Sequence, residues 1–212
     1  MVLSSLEILK EAGVEAFIFM EGSPSCGVYR TTLKNRRLGK PPGAFGSLLL
    51  KEDLFLIPAV DLESPVKWWD WRRRLHAFAW LKRQQMTSKN QIYHVWHLFK
   101  FLCQEVSREE AGEIGRRLAA MPKAFSRTFA EQWKKDVLAL LRKPSALGRI
   151  HSIMLKHFSH YRKHFNPAAK EVRAPQTDLA KRMFINKLLE MEKRAILEGY
   201  EFAGVPVIYR QN

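Results

Sequence analysis

The chain has 212 residues, 46% hydrophobic and 27% charged, a balance that describes a soluble globular protein and allows one large domain or two small ones. Its two cysteines, Cys26 and Cys103, lie far apart and form no metal-knuckle spacing; they exclude a disulfide framework, so a reducing cytoplasm is the expected compartment. The net charge of +15 is unevenly spread: residues through Pro65 carry 7 Lys/Arg against 8 Asp/Glu, and those from Val66 onward carry 29 against 13. The basicity therefore belongs to a second module, which faces either water or a polyanion. No run approaches the roughly 18 apolar residues of a membrane span, and the first residues lack the pattern of a secretory signal.

Residues 3–12 predict a helix, with Leu3, Leu6, Ile8 and Leu9 to one side and Gly13 ending it. Val14 to Met20 then reads as a short buried strand. It runs directly into Glu21-Gly22-Ser23-Pro24-Ser25-Cys26-Gly27, a turn at the mouth of a sheet, where open α/β folds bind ligands. Pro24 restricts φ and Gly27 is expected to let the chain turn sharply. Thr31 to Lys40 reads as a basic, polar loop. Gly43-Ala44-Phe45-Gly46 leads into a short helix at Ser47–Leu50, and Leu54–Pro58 predicts a second strand. The pattern is a β–loop–α–β crossover, the repeating unit of a parallel sheet.

Asp61-Leu62-Glu63-Ser64-Pro65 marks a boundary, after which helical periodicity prevails. Helices are expected over 66–86, 89–104, 108–120, 125–141, 146–164 and 177–202. Ser107 before Arg108-Glu109-Glu110 makes a capping box, and Thr177-Asp178 caps the last helix. The expected fold class is α+β: a small α/β segment over residues 1–65, followed by a basic, all-helical domain over 66–212.

Cys26, among Gly, Ser and Pro, suits a metal or cluster ligand or a nucleophile; a small buried residue is the plainer reading. Gly43–Gly46 offers amides to an anion but lacks the Lys-Ser/Thr of a phosphate loop. His157, His160 and His164 share a helix face, as do His94 and His97, yet Lys156, Arg162 and Lys163 crowd the first set. A basic, partly exposed face fits those histidines better than a metal site. Trp68-Trp69-Asp70-Trp71-Arg72-Arg73-Arg74 mixes rings and cations as nucleic-acid surfaces do. Phe78 and Trp80 continue the aromatic spacing, which favours burial of the rings in a core.

The segment from Ile8 to Ser64 resembles the C-terminal half of the thiouracil desulfurase-like family, catalogued as domain of unknown function 523. The matching marks are the helix before Gly13, the strand into Ser23-Pro24-Ser25-Cys26-Gly27, Tyr29, the Gly43–Leu50 entry to a helix and the strand before Glu63. The resemblance implies a 4Fe–4S cluster held by three cysteines, whose open iron removes sulfur from a thiolated pyrimidine base without net redox chemistry. It assigns Cys26 as one cluster ligand, and so a metal ligand, and Ser23 as a catalytic hydroxyl near the substrate. The family's other two cysteines and an acidic residue precede the matching segment, and Cys103 fits neither position. The expectation is thus a partial, truncated desulfurase site.

More weakly, the second module resembles the helical domain of unknown function 1722, through Lys143–Arg149, the helix bearing His157, Phe158 and Tyr161, and Gly204–Ile208. The alternative expectation is a non-enzymatic basic module that binds RNA or DNA, with Arg72, Arg73 and Arg74 as candidate contacts.

Overall fold

The computed structural model describes residues 2–29, 31–33, 36–38, 42–121, 124–165 and 177–197. It divides into two units, Met1–Ser64 and Pro65–Asn212, and its class is α+β with a mainly helical second part.

In the first unit, α1 (Val2–Glu11) ends at Gly13, whose φ of 65° suits only a residue without a Cβ. Strand β1 (Ala16–Phe19) pairs in parallel with β4 (Phe55–Pro58), in the register Ala16↔Phe55 to Phe19↔Pro58. All four residues of β4 are buried, as parallel strands covered on their faces usually are. Helix α2 (Ala44–Leu49) forms the crossover between them. Leu6, Phe19, Val28, Leu49, Leu54 and Leu56 make the core, with Phe17 and Phe45 packed against it edge to face at 5.7 Å.

The basic stretch expected as a loop contains a hairpin instead. β2 (Thr31–Leu33) and β3 (Arg36–Leu38) pair antiparallel, Thr32 opposite Arg37. Three-residue strands are too short to show a period of two, and the run of cations hid the β-branched threonines.

A 3-10 turn over Ala59–Glu63 ends the first unit. Among the described residues the second contains α3 (Pro65–Arg83), α4 (Lys89–Val106), α5 (Arg108–Ala119), α6 (Arg127–Leu141), α7 (Leu147–Phe165) and α8 (Asp178–Leu197). Pro65 opens α3, where its missing N–H is not needed. The hydroxyls of Ser88, Ser107, Ser126 and Thr177 accept from the amides of Gln91, Glu110, Phe129 and Ala180, each cap being worth about 1 kcal/mol. The part of the last expected helix beyond Leu197, and Gly204–Ile208, lie outside the described residues. Among the described residues no helix is long and apolar enough to cross a membrane.

The carboxyl ends are held differently. No glycine follows α3, α4, α5 or α6, so the usual left-handed cap is missing there. Instead, side chains from other helices donate to the last carbonyls. Lys134 of α6 reaches Lys82 and Gln84 at the end of α3, at 2.9 and 2.7 Å. Arg149 of α7 reaches Glu105 and Val106 at the end of α4. Tyr93 and Lys89 of α4 reach Leu118 and Met121, and Arg74 of α3 reaches Leu141 and Lys143. Cations suit the negative end of the helix dipole. Part of the excess basicity is therefore spent on helix ends.

α3 runs through the middle of this unit, packing against α6, α7 and α8. Val66 and Trp69 of α3 join Ile150, Met154, Phe184, Ile185, Leu188 and Met191 in one cluster. At its edge Trp69 Nε1 donates to Glu192 at 3.2 Å, and Arg72 pairs with the same carboxylate at 2.5 Å. Burial pushes Glu192 up, and Arg72 and Arg73 only partly offset it. An acid raised in the folded state stabilises it most below its unfolded value, and that contribution is lost as pH rises through the folded value. Glu192→Gln should therefore flatten the pH dependence of unfolding on the alkaline side of the ordinary glutamate range. Denaturant titrations at several pH values check this, and an unchanged slope contradicts it.

Candidate functional site

The Cys26 turn is built from the end of β1 outward. Gly22, with φ 82°, supplies the left-handed residue that turns the chain. This corrects the expectation that Gly27 plays that part. Ser23 Oγ then accepts from the amides of Ser25 and Cys26, both at 3.3 Å, and lies 3.1 Å from Ser25 Oγ. The Gly27 amide donates back to the Ser23 carbonyl at 3.0 Å. The small loop is closed by its own hydroxyls.

The turn is clamped from outside by the start of α2. Gly43 N donates to Gly27 O at 2.8 Å, and Phe45 N and Gly46 N donate to Ser25 O at 2.8 and 3.1 Å. These amides are therefore occupied, and the anion-holding reading of Gly43–Gly46 does not apply to them. Both glycines are needed for close approach. A Cβ on Gly43 would stand 2.6 Å from the Ser25 carbonyl carbon, and one on Gly46 would stand 2.9 Å from that of Gly27. The oxygens would be closer still. Tyr29 packs edge to face on the fully buried Phe19, with centroids 5.8 Å apart.

Cys26 is half-buried, and its Sγ lies 3.9 Å from the Met20 carbonyl. Partial burial pushes the thiol up, but hydrogen bonding with Ser23, Ser25 and its own amide outweighs this and leaves it below the ordinary thiol value. Ser23 is thus in place beside Cys26, as a hydroxyl that both closes the turn and favours the thiolate.

The residues present do not fit a 4Fe–4S cluster, for which four thiolates are usual. Among the described residues no group of three His, Cys, Asp or Glu side chains stands together as a metal site. Cys103 is fully buried in α4, in the second unit, where burial pushes its thiol far up. It behaves as a small core residue. His94 and His97 are exposed on α4, while the side chains of His157, His160 and His164 lie outside the described residues.

The arginine run is placed mostly in the interior. Arg73 and Arg74 are each 1% exposed, and Asp70 is 2% exposed. Arg73 pairs with Asp70 at 3.1 Å and Glu105 at 2.7 Å; Arg74 pairs with Asp70 at 2.8 Å. The two guanidiniums also stack on Trp69 and Trp71, at 3.8 and 3.9 Å from the ring centroids. Burial works against the Arg73 cation, and Glu105 and Asp70 outweigh it. Arg72 is partly exposed and held by Glu192. Arg73 and Arg74 therefore present no charge to a surface ligand. The spacing of Asp70 with Arg73 and Arg74, three and four residues on, is the sequence signal for this pairing. Glu105 and Glu192 are brought in only by the tertiary fold.

Comparison with family models, with curated proteins and with solved structures gives no match to this chain.

Proposed function

We propose that the Ser23–Gly27 turn is a partial sulfur-handling site of the desulfurase-like kind, with Cys26 as its soft ligand and Ser23 as the hydroxyl that sustains the thiolate. The substrate class is a thiolated pyrimidine or a related small molecule carrying a C=S group, which a soft centre prefers. The observation that carries this reading is the half-buried thiol of Cys26, set in a turn closed by Ser23 Oγ at the carboxyl end of a parallel strand. One thiolate does not hold a cubane cluster, so the site is a corner of such a centre and not the whole of it.

The test has two parts. Alkylation of Cys26 by iodoacetamide, followed by mass spectrometry across pH, should reach half-maximal rate below the pH of a free cysteine. In Ser23→Ala that midpoint should move upward. Anaerobic reconstitution with iron and sulfide then asks whether the thiolate serves as a ligand. A brown chromophore lost in Cys26→Ser supports that role. A colourless protein rejects Cys26 as an iron ligand in this chain, and an ordinary alkylation profile rejects the thiolate itself.

A further inference from the structure

Helix α4 turns Ile92, Val95, Phe99, Leu102, Cys103 and Val106 inward. It leaves Asn90, His94, His97, Phe101 and Gln104 exposed, spaced by four, three, four and three residues. That spacing draws one straight line about 21 Å long on the helix surface. Phe101 is 44% exposed. Lys100 Nζ lies 4.9 Å from its centroid, and Lys89 Nζ lies 6.0 Å from that of Tyr93, further along the same helix. The only carboxylate on α4, Glu105, is buried against Arg73. On the following helix, Glu110 and Glu113 are paired with Lys143 and Arg116.

The charge of the second unit completes the picture. Arg72, Arg73 and Arg74 are matched one for one by Asp70, Glu105 and Glu192, so that network is neutral. The excess of 29 Lys/Arg over 13 Asp/Glu beyond Pro65 lies outside it and draws a polyanion.

We propose that this outward line of α4 binds single-stranded nucleic acid. Phe101 offers its exposed ring as a stacking platform to an unpaired base. Lys100 meets a phosphate, while Asn90, His97 and Gln104 supply donors and acceptors for base edges. A duplex hides its base faces within its own stack, so it gains less from exposed rings. A protein partner would need an apolar stripe, and this face has one exposed apolar side chain. The proposal does not depend on the thiol site.

Fluorescence anisotropy of the full chain with a labelled single-stranded 20-mer, as RNA and as DNA, tests it. Binding should weaken about tenfold or more between 50 and 200 mM salt. Phe101→Ala should weaken it by about tenfold, the worth of one stacked base. Lys100→Glu should weaken it clearly more than Lys187→Glu, the same charge change at an exposed position on α8. The proposal is overturned if no strand binds at low salt, if the matching duplex binds equally well, if Phe101→Ala changes nothing, or if the two lysine variants are equivalent.

Discussion

Arg73→Ala is expected to destabilise the helical unit by about 3–5 kcal/mol, the usual cost of removing one partner from a buried ion pair. In a chain of this size that corresponds to a fall of about 10 °C in Tm. The guanidinium sits on Trp69 between Asp70 and Glu105, all of them nearly inaccessible to water. Truncation leaves Glu105 buried without its nearest cation and opens a void on the indole face. Arg116→Ala removes a superficially similar contact to Glu113, but both groups are exposed, and the loss should stay within about 0.5 kcal/mol. Arg73→Met combined with Glu105→Met removes both charges and keeps most of the volume, so it should recover a large share of the stability. Urea unfolding measures all three. A single-variant loss below about 1 kcal/mol contradicts a closed, mutually dependent network.

Gly46→Ala should unseat the Cys26 turn. Its Cβ would meet the Gly27 carbonyl carbon at 2.9 Å, and that atom belongs to the main chain. No side-chain rotation relieves such a clash. Forcing a methyl group into a packed contact costs about 1–3 kcal/mol or more, and the hydrogen bonds from Phe45 and Gly46 to Ser25 are the first to stretch. The expected readout at the site is a Cys26 thiol that alkylates with an ordinary pH profile. Gly43→Ala should act in the same direction through Ser25. Gly148, inside α7, has open space where its Cβ would be; Gly148→Ala should gain up to about 1 kcal/mol. If Gly46→Ala matches wild type in both stability and thiol profile, the close clamp is not what holds the turn.

Much of the architecture was legible because it is local. Ser107 and Thr177 announce helix starts by residue type alone, and both hydroxyls accept the amide three residues on. The apolar runs at 16–19 and 55–58 are strands that pair in parallel across a short helix. The hairpin at 31–38 was not legible, since three residues carry no period. The meaning of Gly43 and Gly46 was equally hidden: a free helix entry and a clamped one share a sequence, and only the Ser25 and Gly27 carbonyls distinguish them. The arginines at 72–74 show the limit of composition. Cations beside tryptophans look alike on a surface and in a core, and the choice was made by Glu105 and Glu192, 32 and 120 residues away in sequence.

The way the helices of the second unit end has a consequence for cooperativity. A helix closed by its own glycine can fray and re-form alone. Here α6 supplies side-chain donors to the last carbonyls of α3, α3 to those of α6, and α7 to those of α4. Undocking one helix takes a donor from the end of its neighbour, so local breathing is expected to become a shared event. These helices are bound into one unfolding unit by their ends as well as by their apolar faces.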